Sequence, residues 1–351
     1  MRRDSGKKIL AVSVVLLLAP LAAVLIIWFH PYKNYSEDEK IILIPRGTSS
    51  MQLAKRLEVE GIVLHRTLFI AYLKTLKRSD HLQAGEYRFQ GPLTIPQVAD
   101  KIIRGLVYYH EVTVPEGFSF FEISDLLEQK GFAPREEFRS AFTSSDIVAD
   151  LVPSLKNLEG FLFPDTYRLT RGETAGEIVQ TMIERFRQIY HTHLESNLQR
   201  SSMSLRQLVT LASLIEKETG VDEERALVSA VFHNRLERGI PLQCDPTIIY
   251  AAKLTGSFKG QIYQSDLSLD SPYNTYKHTG LPPGPIANPG LQSLEAALNP
   301  AAVDYLYFVK SNGGRHVFSK TLDEHNRAVA AYRHSIQLEM KKAPESRQGR
   351  L

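Results

Sequence analysis

One unbroken apolar run opens the chain, ILAVSVVLLLAPLAAVLIIWF from Ile9 to Phe29, and it carries no charge. As a helix it is about 31 Å long, close to the ~30 Å hydrocarbon core of a bilayer, so it predicts a transmembrane helix over 9–29. Arg2, Arg3, Lys7 and Lys8 precede it, and Glu37, Asp38 and Glu39 follow. The positive-inside rule then leaves residues 1–8 as a cytoplasmic tail and puts everything after residue 30 outside. A cleaved signal peptide has a shorter apolar core and a small-residue cleavage site, so an uncleaved anchor is expected, with Trp28 at the interface and Pro20 tolerated within the span.

Past a tether at 30–40 the periodicity changes. IILIPRGTSSMQLAKRLEVEGIV from Ile41 and HEVTVPEGFSFFEISDLLEQKGFA from His110 share one cadence at an offset of 70 residues: Pro45 with Pro115, Gly47 with Gly117, Ser49 with Ser119, Leu53 with Ile123, Leu57 with Leu127, Gly61 with Gly131. Each copy predicts a short strand, a Pro-x-Gly turn, a serine-capped amphipathic helix and a terminating glycine. Two copies are too few for a solenoid. Between them the pattern predicts a helix over 67–76, a strand at GEYRF (85–89) and a Thr94-capped helix to about Arg104. From Arg135 to Arg200 the periodicity is mostly helical, broken by the aromatic EGFLFPDTYRL at 159–169, whose rings could either stack on sugars or seal a core. Helices follow over 205–219 and 222–238. Residues 240–290 read as loop, because SPYNTYKHTGLPPGPIANPG is rich in Pro, Gly, Asn, Ser and Thr, and long ordered loops tend to carry function. YLYFV and HVFSK predict a hairpin around SNGG, then a C-terminal helix and a flexible basic tail at 341–351.

Composition narrows the function. A net charge of +3 over 351 residues, with both signs interleaved, gives no footprint for nucleic acid. One cysteine, Cys244, excludes an internal disulfide framework and multi-cysteine metal sites. The scattered histidines show no metal-ligand spacing, so neither metal nor cofactor is expected.

The candidate chemistry lies in LIEKETG at 214–220. The helix before it is apolar over a broad arc formed by Leu205, Leu208, Val209, Leu211, Ala212, Leu214 and Ile215, with Arg206, Thr210, Ser213 and Lys217 opposite. Glu216 and Glu218 fall about 200° apart, so both cannot enter one cleft from an unbroken helix. A carboxyl held against apolar neighbours has its pKa raised, as a general acid requires near neutral pH. Equally, either glutamate could simply pair with a cation such as Lys217 or Arg225.

LASLIEKETG, ERALVSAVFHNRLERGIPLQCDPTIIYA and SPYNTYKHTGLPPGPIANPG together resemble the YceG-like family of endolytic murein transglycosylases, from the anchor to the hairpin. The resemblance implies an α+β chain: the anchor, a small LysM-like module over 41–108, and a mainly helical lysozyme-like catalytic domain over 109–340 that begins with the repeated unit at 109–134. It implies a lyase of the inner membrane with its catalytic domain in the periplasm or on the outer face. Such an enzyme cuts the MurNAc–GlcNAc bond of nascent peptidoglycan strands to leave 1,6-anhydroMurNAc ends, terminates strand elongation, and works beside penicillin-binding glycan polymerases. In lysozyme-like transglycosylases the catalytic glutamate precedes a small hydroxyl residue, which selects Glu218, followed by Thr219, over Glu216, followed by Lys217. Gln243, Asp245, Asn274 and Tyr276 are candidates for orienting the substrate, with Glu216 as an accessory carboxylate that holds a substrate amide or buttresses the helix. Asn274 could instead serve an ordinary Asx turn. Cys244 stands where the family has a threonine; a cysteine nucleophile is a further alternative, although nothing in the spacing joins it to His233 or His278. A non-catalytic peptidoglycan-binding adaptor and a lysozyme-type hydrolase remain alternatives for the whole chain.

Overall fold

A computed structural model describes residues 16, 18–77, 81–153, 155–311 and 313–342. The protein is a helix-rich α+β chain with small antiparallel two-stranded sheets. It forms two compact units: Met1–Val112 with Tyr167–Thr174, and Thr113–Thr166 with Ala175–Leu351.

In the first unit, β1 (Glu39–Ile44) runs antiparallel to β2 (Gly85–Gln90), with Ile42 opposite Tyr87 and Ile44 opposite Gly85. Alternation along β1 turns Ile42 and Ile44 inward. Between the strands lie α1 (Ser50–Val59) and α2 (Arg66–Thr75), and α3 (Ile95–Ile103) follows β2. The Ser49 hydroxyl caps α1 at the Gln52 N–H, and Gln52 returns a bond to the Ser49 N–H; Thr94 and Gln97 do the same for α3. Along α3 the buried positions are Ile95, Val98, Ala99, Ile102 and Ile103, one stripe of a 3.6-residue period. They close a core with Leu53, Leu57, Phe69, Leu73, Tyr87 and Phe89, each side chain adding roughly 1.5–3 kcal/mol by leaving water.

Much of the expected membrane span, residues 9–15 and 17, lies outside the described residues. Residues 18–29 are helical, and among the described residues no helix is long and apolar enough to cross a membrane. Trp28, expected at a lipid interface, donates its indole N–H to the Leu68 carbonyl at 3.0 Å and meets Tyr72 edge-on at 5.3 Å. The indole is thus satisfied by protein rather than by headgroups.

Both copies of the repeated stretch fold as strand, turn and capped helix. In the second, β3 (His110–Thr113), which pairs with β4 (Thr166–Leu169), leads into α4 (Phe120–Gln129). Gly47 and Gly117 share a left-handed φ of 77° and 73°, which a residue with a Cβ rarely adopts, so the turn itself fixes glycine at both positions.

The second unit is built around α7 (Leu205–Glu218). Before it come α5 (Arg135–Phe142) and α6 (Ala175–Ile189), the latter running through a π-turn at Tyr190–Leu194. After it come α8 (Asp222–Glu237), α9 (Asp245–Leu254), α10 (Leu291–Leu298), the hairpin of β5 (Tyr307–Lys310) and β6 (His316–Ser319), and α11 (Leu322–Lys342). α7 packs against α8, α9 and α10 and is buried from Leu208 to Ile215. Thr210 and Ser213, expected on a polar face, are inside: their hydroxyls donate to the Arg206 and Thr210 carbonyls, and Ser213 Oγ accepts from the Ile286 N–H at 3.1 Å. Satisfied hydroxyls cost little in a core, so a face that reads as polar can still be buried. Helix α9 lies in the stretch expected to be loop; Pro246 in its first turn and the run TIIYAA make it a short buried helix. Phe161, Phe163 and Tyr167 are buried, so the aromatics of EGFLFPDTYRL fill core rather than present stacking faces.

Candidate active site

α7 ends at Glu218 because Thr219 is extended, with φ −137°, and turns its hydroxyl back to accept the Val221 N–H at 3.0 Å. That stop leaves the Glu218 side chain on the wall of a cleft of about 640 Å³, which the second unit forms from α7, α8, α9, α11, the β5–β6 hairpin and the loop at Tyr276. Burial pushes the Glu218 carboxyl above its ordinary range. The Cys244 thiol, a weak donor facing it, opposes that; the neighbouring charge of Asp245 adds to it; His316 and Lys310 oppose it more weakly. The net direction is upward. A helix C-terminus also carries partial negative charge, which disfavours an ionised carboxylate there.

Gln243, Asp245 and Tyr276 line the same cleft. Gln243 adopts a left-handed φ of 54°, unusual for a side chain with a Cβ; its N–H donates to the Thr275 carbonyl at 3.1 Å. Strain of about 1–3 kcal/mol held this way is a common feature of functional sites. The Tyr276 hydroxyl donates to Asp245 Oδ1 at 2.5 Å, and burial, then Asp245, raises the phenol's pKa.

Two expected site residues are elsewhere. Glu216 does not line the cleft: its Oε2 accepts the Gly290 N–H at 3.0 Å and its Oε1 lies 3.6 Å from Arg225 Nη2, with both side chains 6 % exposed. A half-turn of helix separates the two glutamates, so the one that reaches the cleft sends the other into the protein. The like charge near Glu218 is therefore Asp245, not Glu216. Asn274 is fully buried; its Nδ2 donates to the Leu267 and Leu269 carbonyls at 3.0 and 2.8 Å, and its Oδ1 accepts the Tyr276 N–H. With its hydrogen-bonding groups engaged it shapes the Tyr276 loop and has no side-chain donor to offer a substrate. Leu211, Leu214 and Ile215, of the apolar arc that precedes Glu218, belong to the core; Phe232, Ile249 and Phe308 supply apolar surface in the cleft. Cys244 is buried, and that burial raises its thiol well above the ordinary range and so disfavours the thiolate a nucleophile needs.

Sequence reasoning missed the basic wall. Arg235 is held by the Leu306, Pro241 and Leu242 carbonyls at 2.7–3.1 Å, and His316 and Lys310 face each other across the hairpin. Arg235 and His316 lie 17 and 98 positions from Glu218, at separations no local motif covers.

Residues 42–331 match the YceG-like family. The chain belongs to that family. It is 35% identical over 319 residues to an endolytic murein transglycosylase of Bacillus subtilis, covering 86% of this chain and 87% of the relative. With an endolytic murein transglycosylase of Streptococcus pneumoniae it shares 28% identity over 334 residues, and there the alignment spans 60% of the longer relative. The crystal structure of a yceG-like protein from Listeria monocytogenes, 32% identical, superposes with a TM-score of 0.57 over 83% of this chain and 99% of that one.

Proposed function

We propose that this YceG-like protein is an endolytic lytic transglycosylase of peptidoglycan, with Glu218 as its proton donor. The observation that carries the assignment is a carboxyl at the end of a buried helix, opening to a cleft, that burial keeps protonated above the usual carboxylate range. Protonated Glu218 gives its proton to the oxygen between N-acetylmuramic acid and the next N-acetylglucosamine, so the leaving sugar departs neutral from an oxocarbenium-like transition state. The muramic C6 hydroxyl closes on the anomeric carbon, and in a one-group cycle the carboxylate left on Glu218 receives its proton. Gln243, Asp245 and Tyr276 hold the sugars.

The order β1–α1–α2–β2 supports a LysM-like, glycan-gripping role for the first unit. The apolar run at 9–29 and its flanking charges support a single-pass anchor with the cleft on the outer side of the inner membrane. A membrane-tethered enzyme that cuts nascent strands would end their elongation and work beside penicillin-binding glycan polymerases.

Glu218→Gln can neither give nor take a proton and should lose about 10²–10⁴ in rate. Mass spectrometry of products from purified glycan strands tests both halves: 1,6-anhydroMurNAc ends are expected from the parent protein. Reducing ends would mean a hydrolase, and full activity in Glu218→Gln would remove the assignment.

A further inference from the structure

The cleft contains a second proton-handling group. His316, on β6, is among the residues that line the same cleft as Glu218. Its Nδ1 lies 2.7 Å from Glu224 Oε2, and its backbone N–H donates to Glu224 Oε1 at 3.0 Å, so one carboxylate clamps both the strand and the ring. Both side chains are almost wholly enclosed, at 4 % and 7 % exposure. The hydrogen bonds from His316 hold Glu224 below the ordinary carboxylate range against its burial. An ionised carboxylate only accepts, so Nδ1 must carry the hydrogen. That fixes the ring's tautomer and leaves Nε2 with no hydrogen bond to the protein among the described residues, on a residue that lines the cleft. Phe308, edge-on at 5.4 Å, and Phe318 at 6.3 Å restrict the ring. The charged groups around it are Glu224 on α8, Lys310 directly across the hairpin, and Glu218 and Lys217 at the end of α7. An imidazole oriented by a carboxylate, with its second nitrogen free toward a reacting centre, is the arrangement of a general base.

We propose that the Glu224–His316 pair is the base of this cleft, taking the proton of the attacking sugar hydroxyl through Nε2 while Glu218 protonates the leaving oxygen. It rests on the assignment of Glu218 as the acid and replaces the one-group cycle by a two-group one. As the bond from the anomeric carbon to the leaving oxygen breaks, that oxygen takes the Glu218 proton. As the C6 oxygen bonds to the anomeric carbon, its proton passes to Nε2, leaving an imidazolium beside the Glu224 carboxylate. The imidazolium then gives one proton to solvent and the Glu218 carboxylate takes one up, so the protein ends as it began.

The test uses the full chain on purified glycan strands, with turnover and anhydro ends as readouts. His316→Asn keeps an amide that can donate to Glu224 but has no Nε2 base. It should melt near the parent and lose about 10²-fold or more in kcat, with KM within about twofold. His316→Gly opens a space beside Glu224, and added imidazole should restore its turnover in a saturable way while doing nothing for Glu218→Gln. A merely structural histidine would not respond to imidazole. Turnover of His316→Asn within about threefold of the parent, or a His316→Gly deficit that imidazole leaves untouched, would overturn the pair as base. Full activity of Glu218→Gln would instead overturn the acid on which it rests.

Discussion

Glu159→Gln should stabilise this protein, and increasingly so as the pH rises. Glu159 is 1 % exposed in the second unit; its Oε1 accepts the Phe120 N–H and an Asn288 Nδ2 hydrogen, each at 3.0 Å. The Tyr250 hydroxyl is also buried nearby without a partner at good geometry. Burial outweighs those donors and pushes the Glu159 carboxyl up to about 8, from 4.5. The folded chain therefore keeps the proton up to about pH 8, whereas the unfolded chain releases it near 4.5. Between those values the unfolded state binds fewer protons, so stability is full below pH 4.5 and is lost as pH rises toward 8. Each tenfold change in proton affinity is about 1.4 kcal/mol, so by pH 7.5 this one group has withdrawn roughly 4 kcal/mol. Glutamine has no proton to lose, and its amide oxygen can accept from the same two donors while its NH₂ faces the Tyr250 oxygen. In a unit of this size ~1 kcal/mol moves the melting temperature by about 2–4 °C. The variant should melt near the parent at pH 4.5 and about 10 °C above it at pH 7.5, by calorimetry or circular dichroism. A difference between the two proteins that does not change with pH would refute the buried, protonated carboxyl.

The other expectations concern the cleft and its supports. Turnover should fall as pH rises through the raised range of Glu218, because the acid must hold a proton to start the reaction; a rate that stays flat into the mildly basic range, in single turnover, would sink a carboxylic acid as donor. Cys244→Thr replaces a weak donor by a stronger one at Glu218, which favours the ionised form and should move that basic limb to lower pH; a limb that stays put would mean the side chain at 244 does not reach the carboxyl. Arg225→Met leaves Glu216 buried without its cation and should cost about 3–5 kcal/mol in chemical denaturation, whereas Glu216→Gln, which can still accept from Gly290, should fold and retain measurable turnover. Loss of turnover in Glu216→Gln comparable to that of Glu218→Gln would show that the buried pair reaches the chemistry after all.

Local signals were the legible part of this protein. Ser49 and Thr94 cap helices where the pattern places them, because a cap depends on residues three apart. The strand at GEYRF and the hairpin follow from alternation, which is also local. What the sequence withheld is tertiary. Asp245–Leu254 was hidden because Pro246 and a turn-rich neighbourhood outweigh six residues of helical pattern, and its helicity comes from packing on α7. Asn274 and Glu216 bear the right chemistry for a sugar site; Asn274 is engaged locally, its Oδ1 taking the Tyr276 N–H in the Asx-turn manner the sequence also allowed, whereas Glu216 is engaged by the Gly290 N–H 74 positions away. The partnership of Glu224 with His316 spans 92 residues and depends on the hairpin folding back on the first turn of α8, which no spacing rule encodes.

The split composition of the first unit has a consequence for synthesis. Glu86 is buried on β2, and its N–H donates to Thr170 Oγ1 at 3.3 Å while Arg171 lies 3.8 Å from its carboxylate; Gly172 comes so close to Gly85 that a Cβ there would sit 3.2 Å from the Gly85 Cα. A ribosome that has translated as far as Val112 has supplied β1, β2 and helices α1 to α3 of that unit but not the octapeptide at 167–174, which holds most of β4 and the Thr170 and Arg171 partners of Glu86. The nascent chain must wait for more than fifty further residues, at roughly 5–20 per second, before the edge of β2 is covered. During those seconds Glu86 waits without its Thr170 and Arg171 partners, and an early stop codon anywhere between 113 and 166 would release a first unit that lacks them.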